Sequence, residues 1–64
     1  MYYATTDGRV VKVFRENGQI VRQLRPGGLV MGVQVTESNV IIMLDNGFTV
    51  VYRMDGVLLR KTKV

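Results

Sequence analysis

Two ten-residue segments of this sequence carry paired arginines at the same spacing. VFRENGQIVR begins at Val13, and VYRMDGVLLR begins 38 residues later at Val51. Their arginines are Arg15, Arg22, Arg53 and Arg60. If each segment folds as a hairpin, its two arginines share one face as diagonal neighbours about 7–8 Å apart. Because the planar guanidinium fork suits bidentate contact with phosphate, the spacing predicts two equivalent anion-binding pairs.

The same basic residues have a purely structural alternative. The net charge is +4, the acids lie in turns or at strand ends, and the bases lie mainly along the predicted strands. Positive strand faces suit an anionic partner, either nucleic acid or a phosphorylated ligand. However, solvated sheet faces also need polar side chains, and Lys or Arg on edge strands discourages aggregation. Salt separates the two interpretations, because nucleic-acid binding through phosphate contacts weakens steeply as salt rises.

The residue types on which catalysis most often depends are scarce. The chain has no His and no Cys, its 5 acidic residues are dispersed, and Ser38 is its only serine. General acid–base catalysis and structural zinc sites draw mainly on the missing types. The segment RPGGLVMG, from Arg25 to Gly32, does not match the glycine-rich phosphate loop and is interpreted as a connector. The sequence therefore predicts a protein that is not an enzyme and that binds no cofactor and no metal.

Glycine-containing turns divide the chain at intervals typical of antiparallel strands. Asn-Gly or Asp-Gly pairs begin at Asp7, Asn17, Asn46 and Asp55, and such pairs favour two-residue type I′ hairpins. A two-residue turn at Asn17 would pair Arg15 with Ile20. Valine, isoleucine, threonine and aromatic residues fill the segments between turns. The pattern predicts an all-β antiparallel meander of seven strands, near residues 2–6, 9–16, 19–25, 29–36, 40–45, 48–54 and 57–63.

Alternating apolar residues indicate which strand faces are buried. The predicted inward residues of the fourth strand are Leu29, Met31, Val33 and Val35. Those of the sixth strand are Phe48, Val50, Tyr52 and Met54. The fifth strand, from Val40 to Leu44, is apolar on both faces, and such a strand is normally covered on both. Either the sheet folds over into a small closed barrel or sandwich, or a homo-oligomer forms in which a second subunit covers the strand.

The two segments belong to longer stretches that match each other. VTESNVIIMLDNGFTVVYRMDGVLLRK, from Val35 to Lys61, has strands separated by E-S-N, D-N-G and D-G turns, and it resembles a β-propeller blade of the WD or quinoprotein-repeat kind. YYATTDGRVVKVFRENGQIVRQL, from Tyr2 to Leu24, resembles the last three strands of another blade. The chain is interpreted as one domain, 1–64, with repeat units at 1–26 and 29–64. Two partial blades cannot close a ring, so the resemblance implies assembly of several chains, for example three.

Two functions stay open on these grounds. The first is a non-enzymatic basic binding module that contacts nucleic acid or a phosphorylated ligand. The second is a self-assembling, propeller-like structural or protein-interaction module, in which the arginines serve solubility or an interface. We expect a cytoplasmic protein without a membrane partner. The segment MYYATTDG lacks the pattern of a signal peptide, and the longest apolar run is far shorter than the roughly 20 residues of a membrane span.

Overall fold

Seven strands make up the computed structural model, which describes residues 1–63, so that Val64 of the second predicted repeat unit lies outside the described residues. The strands are β1 (Tyr2–Asp7), β2 (Val10–Arg15), β3 (Ile20–Leu24), β4 (Val30–Val35), β5 (Asn39–Leu44), β6 (Phe48–Arg53) and β7 (Leu58–Lys63). They form a three-stranded sheet, β1-β2-β3, and a four-stranded sheet, β4-β5-β6-β7, with antiparallel pairing throughout. The predicted all-β fold of seven antiparallel strands is confirmed, as two sheets that do not close into a barrel. No helix in residues 1–63 is long and apolar enough to cross a membrane.

The two sheets face each other across a small apolar core. Its buried side chains are Val11, Val13, Leu24, Val40, Ile42, Leu44 and Val50. The three-stranded sheet supplies the first three and the four-stranded sheet supplies the other four. One apolar face of β5 is therefore covered within the chain, while Met43 on its other face is 46% exposed.

The hairpin turns differ from the predicted two-residue form. In the hairpin formed by β2 and β3, Gly18 N donates to Arg15 O at 2.9 Å and Arg15 N donates to Gln19 O at 2.8 Å. Three residues therefore form the loop, with Gly18 at φ 89° and no positive φ at any non-glycine residue of 1–63. A type I′ turn needs positive φ at two successive positions, whereas a type I turn followed by a left-handed glycine needs it at one. The prediction of a type I′ turn at Asn17 is wrong for this reason.

The longer loop and a bulge change the register between β2 and β3. Val13 lies opposite Arg22, as the sequence predicts, but Phe14 lies opposite Ile20, with a register shift between the two pairs. The predicted pairing of Arg15 with Ile20 is therefore wrong. A bulge adds one residue to one strand only, so it changes which side chains share a face.

A second bulge, in β4, changes which residues of that strand point inward. The register shifts between Val30 and Gly32, and Val30 packs against the core together with Val33 and Val35. Met31 is left 68% exposed and Leu29, which precedes β4, is 41% exposed, so the predicted inward positions of both are wrong. The predicted face of β6 is confirmed, because Val50 is buried and the other three residues of that face pack against the core.

Candidate functional site

The two arginine-bearing hairpins have the same turn structure. In the second hairpin, Gly56 N donates to Arg53 O at 2.8 Å and Arg53 N donates to Val57 O at 2.8 Å, which repeats the bonding of the first. Val57 N also donates to Oδ1 of Asp55 at 3.1 Å, and Asn17 accepts the corresponding bond at 2.9 Å. A short polar side chain at this position and a glycine after it thus specify one loop type in both hairpins.

The bulge is repeated as well. Arg60 lies opposite Val51 and Leu58 lies opposite Tyr52, with a register shift between these pairs. Subtracting 38 from each number gives the pairs and the shift of β2 and β3. The two hairpins therefore correspond residue by residue, with Arg53 in the place of Arg15 and Arg60 in the place of Arg22.

The corresponding hairpins nevertheless turn opposite faces towards the core. Val13 is fully buried, whereas its counterpart Val51 lies on the far side of the four-stranded sheet, because the neighbours Val50 and Tyr52 point into the core. Successive residues of a strand point to opposite faces. Arg22, opposite Val13, therefore faces the four-stranded sheet, and Arg60, opposite Val51, faces away from the core.

Arg22 lies over the turn of the second hairpin. A Cβ atom built on Gly56 would lie 2.6 Å from Nη1 of Arg22 and 3.4 Å from its Cδ. The Nε atom of Arg22 is buried without a hydrogen-bond partner. Only a residue without a side chain leaves room for the guanidinium there, so the glycine serves both the turn and the contact between the sheets.

Arg53 is engaged by an acid of its own turn. Its Nη2 lies 2.7 Å from Oδ2 of Asp55, and its Nε donates to the same oxygen at 3.0 Å. This hydrogen bond is the main cause that lowers the pKa of Asp55, with further contributions from Val57 N–H and the charge of Arg22. The same bond raises the pKa of Arg53. The fork of Arg53 thus contacts a carboxylate in an exposed ion pair, which a phosphate would have to displace.

The other two predicted residues are exposed. Arg15 borders a pocket of about 240 Å³, which is also lined by Met1, Tyr2, Glu16 and Asn17. Arg60 lies on the edge strand β7. The structure thus pairs Arg53 with Asp55 and places Arg22 over the adjacent Gly56, and it gives the four arginines unlike surroundings. Anion binding by these residues stays a prediction.

The strand β7 forms a basic edge that the spacing of the arginine pairs does not reveal. Arg60, Lys61 and Lys63 are all exposed there. The Nζ atoms of Lys61 and Lys63 lie 4.8 and 5.6 Å from the ring centroid of Phe48, within the range of cation–π attraction. The signal in the sequence is the run RKTK, whose placement beside Phe48 follows only from the pairing of β6 with β7.

Each sheet also has a face that no part of residues 1–63 covers. The free four-stranded face carries Ile41, Met43, Val51, Leu59 and Arg60. The free three-stranded face carries Tyr3, Thr5, Lys12, Phe14 and Ile20. On the latter the rings of Tyr3 and Phe14 are stacked, with centroids 5.2 Å apart. The sequence indicated that β5 has two apolar faces, but not which one the fold would leave free.

Comparison with known proteins does not assign a function to these surfaces. No group of three or more His, Cys, Asp or Glu side chains in residues 1–63 could hold a metal ion. Comparison with protein-family models, curated proteins and solved structures gives no match. The chain's own surfaces are therefore the basis on which a function can be inferred.

Proposed function

We propose that this protein is a non-enzymatic self-assembling β module, in which the sheet-on-sheet packing inside one chain is repeated between chains. One observation carries the proposal. Each of the two buried sheet faces has an exposed counterpart of the same local structure on the other sheet. The backbone arrangement that packs inside the chain is therefore present a second time without a partner, although Thr49 and Lys12 stand where the buried faces have Val11 and Val50.

The free four-stranded face corresponds to the buried face of the three-stranded sheet. Val51 takes the position of buried Val13, and Leu59 takes the position of Val21, which packs against the core. Leu59 is 49% exposed. When another sheet removes apolar side chains in this arrangement from water, the free energy falls and association is favoured.

The free three-stranded face corresponds to the buried face of the four-stranded sheet. Phe14 takes the position of Tyr52, which packs against the core. The stacked rings of Tyr3 and Phe14 provide an aromatic patch on this face, next to the polar pair Thr5 and Lys12. Stacking this face on the free four-stranded face of the next copy repeats the internal packing in a head-to-tail manner. Such a heterologous contact closes into a ring when its rotation permits, as the resemblance to propeller blades implies, and otherwise gives open filaments.

Oligomeric state as a function of concentration tests the proposal. Light scattering coupled to size-exclusion chromatography is expected to show species larger than a monomer. Met43→Glu should convert them to monomers, because it places a carboxylate on the free four-stranded face. Leu29→Glu is the matched control, since Leu29 is also an exposed apolar residue but lies in the connector between the sheets. A strict monomer at about 1 mM, where an association worth only ~4 kcal/mol is detectable, would contradict the proposal.

The basic edge supports a second candidate function, binding of nucleic acid or a phosphorylated ligand. β7 carries three bases, no acid and no buried residue. A filter-binding assay with single-stranded RNA and DNA at low salt tests it. Retention should fall steeply with salt and should weaken in the double variant Lys61→Ala, Lys63→Ala but not in the control Lys12→Ala. Equal retention of both variants, or none by the native chain, would remove this candidate.

A further inference from the structure

The contact between Arg22 and the second turn is half of a pattern that the chain contains twice. The guanidinium of Arg22 lies over Gly56. A Cβ atom built on Gly56 would lie 2.6 Å from Nη1 and 3.3 Å from Cζ of Arg22. The carboxylate of Asp55, next to that glycine, has its pKa lowered in part by the charge of Arg22. An arginine on the outer strand of one sheet thus packs over the glycine of an Asp-Gly turn of the other sheet, near enough for its charge to act on the aspartate.

Both halves of this contact are present again, each without its partner. Arg60 takes the position of Arg22 on its strand and is exposed. The turn 16–18 has the structure of the turn 54–56. Gly18 is exposed, and only the hydroxyl of Tyr3 lies within 4.0 Å of the point that a Cβ atom would occupy there. Arg60 thus has no turn to cover, and the turn at Gly18 has no guanidinium above it.

One chain cannot join these two halves. Arg60 lies on the face of the four-stranded sheet that points away from the core, while the turn at Gly18 belongs to the other sheet. We infer that Arg60 of one copy lies over the turn 16–18 of a second copy and fixes the register of their stacking. This inference rests on the proposed self-assembly and identifies the residue that makes it specific.

The chemistry of the two turns differs at one informative position. Asp55 in the internal contact is replaced by Asn17, which keeps the hydrogen bond to the backbone but has no charge. Arg15 precedes Asn17 at the same spacing as Arg53 precedes Asp55. Asn17→Asp therefore completes the charged cluster of the internal contact without disturbing the loop, and it should strengthen the contact between copies.

The dissociation constant for self-association, measured by analytical ultracentrifugation, tests the inference. Arg60→Ala should weaken association on the order of tenfold, the size expected for an interface arginine. Asn17→Asp should strengthen it about threefold at low salt, and the gain should fade in ~0.5 M NaCl as the charges are screened. The gain should also vanish when Arg60→Ala is combined with it. Circular dichroism would verify that each variant keeps the β-fold.

Matched controls separate this contact from general charge effects. Asn46→Asp makes the same change in a turn whose asparagine also accepts a backbone hydrogen bond, from Phe48 N at 3.1 Å, but which lies outside the proposed contact. Arg9→Ala removes an exposed arginine elsewhere. Neither should change the dissociation constant.

The outcomes also distinguish this inference from the proposed function. If the native chain assembles and Met43→Glu prevents it, but Arg60→Ala and Asn17→Asp have no effect, the stacking is right and the role of Arg60 is refuted. An equal gain from Asn46→Asp would refute it too. If the native chain is monomeric throughout, the proposed function fails and this inference fails with it.

Discussion

Substituting the two turn glycines by alanine isolates the contribution of Arg22 to stability. Gly18 and Gly56 occupy the same loop position at φ 89° and φ 97°. Alanine in that left-handed region costs about 1 kcal/mol of folding free energy at either site. Only at Gly56 does the new methyl group also meet Arg22, 2.6 Å from Nη1.

The expected difference follows from that contact. Gly56→Ala must displace Arg22, whose packed stem contributes about 1 kcal/mol to the free energy of unfolding. We therefore expect Gly18→Ala to cost about 1 kcal/mol and Gly56→Ala about 2 kcal/mol. In a domain of this size, the extra 1 kcal/mol lowers Tm by about 4–8 °C.

The assay is thermal and urea unfolding followed by circular dichroism, at a concentration low enough to keep the chain monomeric. A double-mutant cycle with Arg22→Ala completes the test, since the extra cost of Gly56→Ala should disappear when Arg22 is absent. Equal costs for the two glycine substitutions would refute the reasoning. So would an extra cost that persists in the Arg22→Ala background.

Three further predictions concern charge, core packing and register. The pKa of Asp55 is lower in the folded chain than in the unfolded chain, so ionised Asp55 stabilises the fold above its unfolded pKa. Tm should therefore fall as pH drops through the folded pKa of Asp55. Asp55→Asn should flatten this part of the Tm–pH curve. Ile42→Val removes one methyl group from a fully buried side chain, so urea denaturation should show a loss of about 0.5–1.5 kcal/mol. The bulge in β4 leaves Met31 exposed to water, whereas Val33 packs against the core. Met31→Lys should therefore change the free energy of unfolding by less than about 0.5 kcal/mol. Val33→Lys should abolish the cooperative unfolding transition. Similar stabilities for these two lysine variants would contradict the assigned register.

The sequence alone determined the features that depend on local interactions. Glycine after Asn or Asp permits the positive φ that each turn requires, and β-branched and aromatic residues favour extended structure between turns. The seven strands, their order and the correspondence between the segments at Val13 and Val51 follow from these preferences. The inward face of β6 was also predictable, because its alternation is interrupted by no bulge.

Tertiary structure alone decided how each repeat is used. Loop type and bulges set the register, and they depend on hydrogen bonds that close between strands rather than on residue preferences within one strand. Two hairpins of the same structure bury opposite faces, because in this fold the two sheets stack with the front of one against the back of the other. For that reason Arg22 lies in a contact between the sheets while Arg60, its counterpart in the sequence, lies exposed on an outer face.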